Sequence, residues 1–504
     1  MTRFTPYSFY SNLISSEELF EGLLGYGLFS EKLPPFLTSE YFLSYCKTNF
    51  PKEYIFGGKG KSSSIYYESI KNTNTPRPIG IPNPFYYHDQ CLLLSNNWSK
   101  ITEHFISKTK DNTHKISRIH LRKRAGSKSL FKMNYSNWIL DPSPEVDLSF
   151  KSRYLIKADI SNFFPSIYTH SIPWALVGKD KAKKTMNSKN NWYNQFDSYT
   201  RSLNNNETTG ILIGPHTSNL LSEIILTVVD DNLNNKEYRF IRSIDDYECF
   251  VDNHESAENF LVDLGAELRD FNLSLNHKKT QILELPLAST SNWTRKLTGF
   301  SSFQTQEIRK YPVIKSFLDY ATEIMVENCD SSVLNYAIKI LGSQDLTNNA
   351  RDLAIKSILN LSLLYPYLVP ILDTHVFSTF NVNNELIERF TNALYNQELK
   401  VKNYEAVCYA IYFAIKYNFP ICTIDINVIT SSSSCILKLL SYIYYRQKND
   451  AAKICDLETH AENLSKNTID FENNWLFIYE ILPQEKLEKE WSKIKQANIS
   501  FIKP

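Results

Sequence analysis

Two short apolar runs, each bordered by aspartate, constrain the fold of this chain more than any other feature. The first run, Tyr154–Ala158, ends at Asp159, and the second resumes at Tyr247 directly after Asp245 and Asp246. Runs of this length and β-rich composition predict a strand and a hairpin. If the strand and the hairpin pair side by side, Asp159 and Asp245 meet at the strand ends.

Carboxylates that share a partly buried site repel each other, and one of them takes a raised pKa unless a cation neutralises the charge. The usual solution is a pair of Mg²⁺ ions about 4 Å apart, which hold the attacking and leaving oxygens of a phosphoryl transfer. We therefore expect two Mg²⁺ ions, with Mn²⁺ as the alternative, at Asp159, Asp245 and Asp246. Another acidic pair, Asp230 and Asp231, lies at the end of a predicted helix and is interpreted as a chance occurrence.

The length of the chain excludes a small binding module, and its charge balance excludes a polybasic protein. A chain of 504 residues is long enough for two or three domains. Its 55 Lys and Arg nearly cancel its 54 Asp and Glu, so any affinity for nucleic acid must be local. One segment between residues 100 and 132 is strongly basic, with only Glu103 and Asp111 opposing Lys108, Lys110, Lys115, Arg118, Arg122, Lys123, Arg124 and Lys128. This segment faces either a phosphate backbone or water, and Lys179, Lys181, Lys183, Lys184 and Lys189 form a weaker cluster.

The cysteines and the N-terminus indicate a reduced, cytoplasmic protein. The eight cysteines are scattered without a Cys-x-x-Cys pattern, which indicates neither a zinc site nor a disulfide framework. The N-terminus lacks a basic stretch followed by an apolar one, so no secretory signal is expected. No apolar run reaches the roughly 20 residues that cross a membrane. We expect a soluble cytoplasmic protein without a membrane partner.

The chain changes character near residue 300. Residues 1–300 mix short β-rich runs with polar segments and include the basic stretch, interpreted as an insertion at about 100–150. Beyond them, apolar residues recur at helical spacing, as in Tyr404, Val407, Cys408 and Ile411, and again in Ile436, Leu439, Leu440 and Ile443. The prediction is an α+β fold, with a mixed domain over 1–300 and an all-α domain of stacked helix pairs over 301–504. A regular solenoid and an irregular bundle both fit this pattern.

Three further segments flank the acidic ones. Arg77 opens a Pro- and Gly-containing segment, Thr209–Asn219 is a glycine-containing turn before a predicted helix, and Leu273–Thr280 carries Lys278 and Lys279. Taken alone, the first is an ordinary turn and such lysines face water. In a phosphate site, arginine supplies bidentate donors and glycine allows close approach of the backbone.

In this order, the five segments resemble the fingers and palm of reverse transcriptases over residues 70 to about 285. Within that group the chain resembles the abortive-infection (Abi, AbiK-like) polymerases of phage defence, and most closely their smaller prophage-encoded members. The resemblance implies a nucleotidyltransferase that acts on dNTPs. It also implies a reverse-transcriptase-like fingers and palm followed by C-terminal helical repeats.

The resemblance gives catalytic roles to the acidic segments and to one lysine. Asp159, Asp245, Asp246 and the carbonyl group of Ile160 would hold the metal ions, since Mg²⁺ prefers oxygen ligands. Lys279 would donate a proton to the departing pyrophosphate or neutralise its charge.

The nucleotide-binding residues implied by the resemblance are Lys71, Arg77, Ile160, Phe164 and Gly214. Arg77 would bind the triphosphate with help from Lys71, and Gly214 would let the backbone approach the nucleotide. Phe164 matches the residue that packs under the sugar of the nucleotide. Its bulky ring would leave no room for a 2′-hydroxyl, so deoxynucleotides are expected.

Two positions depart from the pattern of templated reverse transcriptases. Ile213 stands where those enzymes usually carry Gln, and Ser243 and Ile244 replace the usual aromatic residue and its neighbour before the acidic pair. Loss of the Gln removes a polar contact near the nascent base pair, a departure shared with Abi enzymes that extend DNA without a template. Template-independent synthesis is therefore expected.

The resemblance also implies that synthesis starts on a tyrosine of the protein itself. The product would be single-stranded DNA attached covalently to the protein, and the protein would form a homo-oligomer. With 31 tyrosines, the composition does not identify the priming residue. Two alternatives stay open: a templated RNA-directed DNA polymerase, and a catalytically inert palm that serves as a nucleic-acid-binding scaffold. The presence of all three aspartates argues against the second, since unneutralised charges cost stability.

Overall fold

The computed structural model describes most of the chain. The described residues are 6–51, 53–57, 60–71, 75–118, 128–130, 144–188, 190–288, 292–302, 308–328, 330, 332–421 and 425–504, with the backbone alone at 7, 10, 71, 75 and 300–302. The predicted basic residues Arg122, Lys123, Arg124 and Lys189 lie outside this set.

The N-terminal region combines helices with one β-hairpin. Its elements are α1 (Tyr7–Asn12), α2 (Ser16–Tyr26), α3 (Glu40–Asn49), β1 (Ile65–Lys71), β2 (Thr75–Ile81), α4 (Pro84–Asn96) and α5 (Trp98–Thr109). The two strands pair antiparallel and place Ser69 opposite Arg77. Pro76 and Pro78 cannot donate to a ladder, and an isolated two-stranded sheet tolerates them because each strand keeps a free edge.

A four-stranded antiparallel sheet forms the centre of the next region. The elements are α6 (Glu145–Leu148), β3 (Tyr154–Asp159), α7 (Phe163–Ser166), α8 (Ser171–Val177), α9 (Lys179–Lys184), α10 (Trp192–Ser202), α11 (His216–Asn235), β4 (Arg239–Ser243), β5 (Asp246–Val251), α12 (His254–Asp270) and β6 (Gln281–Glu284). The strand order is β4-β5-β3-β6, so β3 and β5, which carry the acidic residues, are the two inner strands. Helix α12 packs against both of them.

All regular elements in the described part of residues 301–504 are helices. They are α14 (Tyr311–Asn328), α15 (Ser332–Leu341), α16 (Asn348–Leu364), α17 (Val369–Leu372), α18 (Ser378–Phe380), α19 (Asn384–Lys400), α20 (Tyr404–Lys416), α21 (Ile426–Ser431), α22 (Cys435–Lys448), α23 (Ala451–Ser465), α24 (Thr468–Ile481) and α25 (Lys489–Gln496), after α13 (Asn292–Ser302). Short 3₁₀ helices at Pro366–Leu368 and Gln484–Lys486 and a π-helical turn at Asp373–Phe377 interrupt them. Packing runs from α19 to α20, α22 and α24, and the predicted fold class is confirmed.

The helical half and the N-terminal half share one apolar core. Phe501, near the C-terminus, packs against Phe42 of α3 and Trp475 of α24, and its carbonyl accepts from the Thr38 amide at 2.8 Å. Trp491 of α25 packs against Phe85 of α4. The division at residue 300 therefore marks a change of architecture within a continuous core, and as a domain boundary it stays a prediction.

Part of the predicted basic stretch is built into the fold. Lys100 and Lys108 belong to α5, and Lys108 makes a 2.8 Å ion pair with Asp231. Lys115 is buried, in a segment that lies against β4 through hydrogen bonds between Ile116, Arg118 and Arg242. Lys115 is therefore not available to a phosphate backbone, and Lys108 is engaged with Asp231, which removes both from the phosphate-binding role expected for this segment.

None of the helices in the described ranges has the length and apolar character needed to span a bilayer.

Glu405 of α20 connects the helical half to the β1–β2 hairpin. Its buried carboxylate accepts from the Ile70 amide at 2.6 Å and from the Ser69 hydroxyl at 2.9 Å. Ser69 lies directly opposite Arg77 in the hairpin, so this contact holds the strand pair that carries the arginine. Burial raises the pKa of Glu405 to about 7, against the two hydrogen bonds, which lower it.

We predict that Glu405 makes the stability of the protein depend on pH. Because the folded-state pKa is raised, its contribution is full below about pH 4.5 and is lost as the pH rises through about 7. The free energy of unfolding should be measured for wild type and for Glu405→Gln. The difference between them, wild type minus variant, should fall by up to about 3 kcal/mol as the pH rises across that window. Glu398→Gln is the matched control: Glu398 is equally buried, but its partners Asn403 and Gln397 lie in the helical half. A flat difference for Glu405→Gln would contradict the prediction.

Candidate active site

The structure brings the acidic residues of the two predicted segments together. Asp159 is the last residue of β3 and lies directly opposite Asp246, the first residue of β5. The Ile160 amide donates to the Asp245 carbonyl at 3.2 Å, so the pairing continues one step beyond the strand ends. Ile160 itself forms a bridge with Leu275 on the other side. Three carboxyl groups therefore converge at one edge of the sheet.

The turn between β4 and β5 is strained at Ile244. This residue has a φ of +60°, a left-handed conformation that is rare for a β-branched side chain. Its carbonyl accepts from the Arg242 guanidinium at 2.9 Å. Strain of this kind persists where the surroundings fix the backbone and is concentrated at functional sites. Here it turns the chain so that Asp245 and Asp246 follow at the tip.

Arg242 fixes that turn from within the core. Its guanidinium is fully buried and donates to Asp230 at 2.7 Å and to Glu223 at 3.1 Å. The Tyr247 hydroxyl lies 3.1 Å from Asp230 and completes the network. Asp230 is therefore a structural partner of Arg242, a role that the sequence did not reveal. Arg242 directly follows the apolar residues Phe240 and Ile241 in β4. A cation buried in such a strand requires an acidic partner, and this was the sequence signal for the network.

The pKa values of Asp245 and Asp246 are both raised. Burial raises the pKa of Asp245, Asp159 raises it further, and Lys279 and Arg77 oppose the shift. Burial, followed by the charges of Asp245 and Asp159 and a hydrogen bond with Asp159, raises the pKa of Asp246 to about 6. The site therefore concentrates negative charge in a partly buried environment from which water is partly excluded.

Lys279 and Asn276 hold Asp159 from the segment before β6. The Lys279 ammonium lies 2.7 Å from Asp159 Oδ2, and the Asn276 side chain donates to Oδ1 at 3.0 Å. The Asn276 amide also donates to the Asp159 carbonyl at 2.8 Å. This contact raises the pKa of Lys279. Both Lys278 and Lys279 are exposed, and the contact to Asp159 is made by Lys279. Asn276 was missed as a site residue, although its spacing of three from Lys279 places both on one turn.

The donor set fits divalent cations. Within the described ranges, no three His, Cys, Asp or Glu side chains are already arranged around one point as metal ligands. However, the charges of Asp245 and Asp159 raise the pKa of Asp246, and a cation stabilises carboxylates that are crowded in this way. All the donors are oxygens, which Mg²⁺ prefers. Asp159, Asp245 and Asp246 would hold the ions, with the Ile160 carbonyl adjacent.

The β1–β2 hairpin contributes Arg77 to the same site. Arg77 is exposed, and its charge acts to lower the pKa of Asp245. An exposed guanidinium near the aspartates is available for the phosphates of a nucleotide. Lys71 lies at the end of β1, and its side chain is outside the description.

The segment from Thr209 to Gly214 joins the hairpin to the sheet region. The Ile213 carbonyl accepts from the Gly80 amide at 2.8 Å, and the Ile211 amide donates to the Phe164 carbonyl at 3.0 Å. Gly214 has a φ of +121°, and a Cβ there would lie 2.9 Å from Ile79 Cγ2. Glycine is therefore required by packing against β2, and its predicted role at the nucleotide stays a prediction.

The two adjacent phenylalanines, Phe163 and Phe164, differ in burial. Phe163 is buried in the core, whereas Phe164 is half-buried, with its ring 5.1 Å from that of Phe163. A half-buried ring next to the Thr209–Gly214 segment is accessible to a ligand, so Phe164 is the one of the two that can contact a sugar.

Comparison with known proteins supports this description. Residues 70–311 match the family of reverse transcriptases (RNA-dependent DNA polymerases). The chain therefore contains a reverse transcriptase domain, and the predicted class, a nucleotidyltransferase of the reverse transcriptase type, is confirmed. No curated protein matches the chain.

Similar solved structures include two telomerases. The structure of apo telomerase from Candida tropicalis has a TM-score of 0.33 at 12% identity, over 84% of this chain and 73% of that one. Telomerase from Candida albicans, in complex with a fragment of telomeric RNA, has a TM-score of 0.29 at 9% identity, over 80% and 69%. At these TM-scores neither similarity bears on function.

We predict that Asp230→Asn strongly destabilises the protein. The substitution leaves the buried Arg242 with Glu223 as its remaining acidic partner, and loss of one member of a buried pair costs about 3 kcal/mol or more. Asp231→Asn is the adjacent control, since Asp231 makes a less buried ion pair worth less than about 1 kcal/mol. Urea unfolding of both variants measures the difference. Equal losses would contradict the structural role of Asp230.

We predict that Lys279→Ala slows nucleotide addition by about 100-fold or more, the range expected for loss of a proton donor. Lys278→Ala removes the same charge one residue away without the contact to Asp159 and should change the rate only a few-fold. Rates of single dNTP addition measure both variants. Unchanged addition by Lys279→Ala would show that the contact of this lysine with Asp159 has no role in nucleotide addition.

Proposed function

We propose that the protein is a DNA polymerase of phage defence that acts in abortive infection. It would add dNTPs without a template, in a Mg²⁺-dependent reaction primed by one of its own tyrosines, in the cytoplasm. The observation that carries this proposal is the convergence of Asp159, Asp245 and Asp246 with Lys279 and Arg77 inside a reverse transcriptase domain.

The site residues have separate roles in the proposed nucleotidyl transfer. Bound divalent cations would activate the attacking hydroxyl and stabilise the charge on the phosphoryl group and the leaving pyrophosphate. Asp159, Asp245 and Asp246 hold the cations, Arg77 binds the triphosphate, and Phe164 excludes a 2′-hydroxyl. Lys279 lies 2.7 Å from Asp159 and is free to turn towards pyrophosphate once a cation binds that carboxylate.

Ile213 supports synthesis without a template. Its side chain is half-buried and its carbonyl is bonded to Gly80, so the position usually held by a polar Gln offers an apolar surface. A polymerase that does not read a template needs no polar contact to the nascent pair at this position.

Protein priming requires a reachable tyrosine. Upstream of the hairpin, the Tyr26 hydroxyl donates to Glu40 and has a pKa raised to about 12, first by burial. Tyr41 is 42% exposed. The side chains of Tyr7 and Tyr10 lie outside the description. We name no priming residue, and the homo-oligomer stays part of the proposal.

A templated RNA-directed DNA polymerase is the second candidate. The matching family is described as RNA-dependent DNA polymerase, which favours it. A templated enzyme would make products whose composition follows an added template, whereas the proposed enzyme follows the supplied dNTP pool.

The test is incubation of the purified protein with Mg²⁺ and one labelled dNTP at a time, with and without an added RNA or DNA template. We expect label on the protein itself, resistant to denaturation and sensitive to nuclease, with or without template. Asp245→Asn should abolish it, because the site loses a metal ligand. Asp252→Asn is the control, since Asp252 is an exposed aspartate just after β5, at the end opposite to the site.

Three results would overturn parts of the proposal. Label that requires a template identifies the templated enzyme. Free, protein-unlinked product excludes protein priming. Label that survives Asp245→Asn excludes catalysis at the aspartates. No label with any dNTP, with or without a template, favours the binding scaffold.

A further inference from the structure

A second site lies between the β1–β2 hairpin and the helical half. A cavity of about 560 Å³ is bounded by β1 on one side and by residues around α22, α23 and α24 on the other. Its wall includes none of the proposed active-site residues Asp159, Asp245, Asp246, Lys279 and Arg77. The volume falls within the range of small-molecule sites, about 300 to 1,000 Å³.

The cavity contains a buried cation. Lys438, on the first turn of α22, is only 3% exposed, and its ammonium donates to the Asn474 side chain at 3.0 Å. Across the described ranges it makes no ion pair. An ammonium group has three donors, and a buried charge normally has an opposite charge beside it. Burial lowers the pKa of Lys438, which a bound anion would reverse.

Two further polar groups at the cavity have no hydrogen-bond partner among the described residues. They are the hydroxyl of Tyr67, a residue only 2% exposed, and Nε2 of His460. Both residues line the cavity. Buried polar atoms are nearly always paired, so unpaired ones beside a cavity indicate a missing ligand.

The N-terminus of α22 adds a favourable dipole. This 14-residue helix begins after Ser434, whose side chain accepts from the Leu437 amide, and Ser432 and Ser433 also line the cavity. Helix N-termini attract anions, and a lysine on the first turn strengthens that preference. The only carboxylates on the cavity wall in the described ranges, those of Asp470 and Glu68, belong to exposed residues, whereas Lys438 is buried.

We propose that this cavity binds the phosphate group of a small nucleotide, with Lys438 as its cation. A lone phosphate would leave most of the volume empty, and Tyr66 and Tyr404 on the wall provide aromatic rings on which a base can stack. A free nucleotide is favoured over a nucleic acid strand because the cation is recessed. The site does not depend on the proposed polymerase activity.

The test is calorimetric titration of the full chain with dAMP in EDTA, so that no divalent cation supports binding at the aspartates. We expect saturable binding by wild type, and binding weakened about tenfold or more by Lys438→Met, since a charge-assisted contact is lost. Deoxyadenosine, which lacks the phosphate, should bind as poorly. Lys495→Met is the control and should bind as wild type does, because Lys495 is a partly buried lysine bonded to the Tyr479 carbonyl and does not line this cavity.

A second variant covers the case in which Lys438→Met alters the fold. Ser433→Trp, at an exposed position on the wall, should block dAMP while Lys438 is intact. No binding by wild type at millimolar dAMP, or equal binding by wild type and both variants, would overturn the proposal. Binding of an oligonucleotide that depends on Lys438, without binding of dAMP, would overturn it in favour of a strand.

Discussion

The pairing of β3 with β5 is the interaction on which the rest of the structure depends. It places Asp159 opposite Asp246 in the two inner strands of the sheet, where the carboxyl groups repel each other. The arrangement requires a left-handed backbone conformation at Ile244. The buried Arg242 stabilises this turn through its hydrogen bond to the Ile244 carbonyl. Lys279 supplies an opposite charge next to Asp159. Strand register and one buried ion network therefore fix the backbone positions of the three aspartates.

The helical half takes part in positioning the site. Glu405 of α20 bonds to Ser69 and Ile70 of β1, and Ser69 is the register partner of Arg77. The Ile213 carbonyl fixes β2 at Gly80 from the other side. The hairpin that carries the arginine is thus held between the helical half and the glycine-containing segment, and the proposed nucleotide cavity lies against the same strand.

The sequence predicted local structure well where the pattern within one strand or one helix is sufficient. The apolar runs at Tyr154–Ala158 and Tyr247–Val251 became β3 and β5, and the helical spacing from Tyr404 and from Ile436 became α20 and α22. Contacts between distant segments were not predictable in the same way. The role of Asp230 depends on Arg242 pointing inward, Glu405 depends on how the two halves dock, and Lys115 is buried because its segment lies against β4. Periodicity reports which face of an element is apolar but not which partner covers it.

The most direct test of the account is a crystal structure with Mn²⁺ and a non-hydrolysable dNTP, in which anomalous scattering locates the ions. The account predicts two Mn²⁺ peaks about 4 Å apart between Asp159 and Asp245, with the Lys279 ammonium displaced from Asp159 towards the phosphates. Arg77 should contact the triphosphate. A site without Mn²⁺, with the Lys279–Asp159 ion pair intact and the dNTP bound elsewhere, would contradict it.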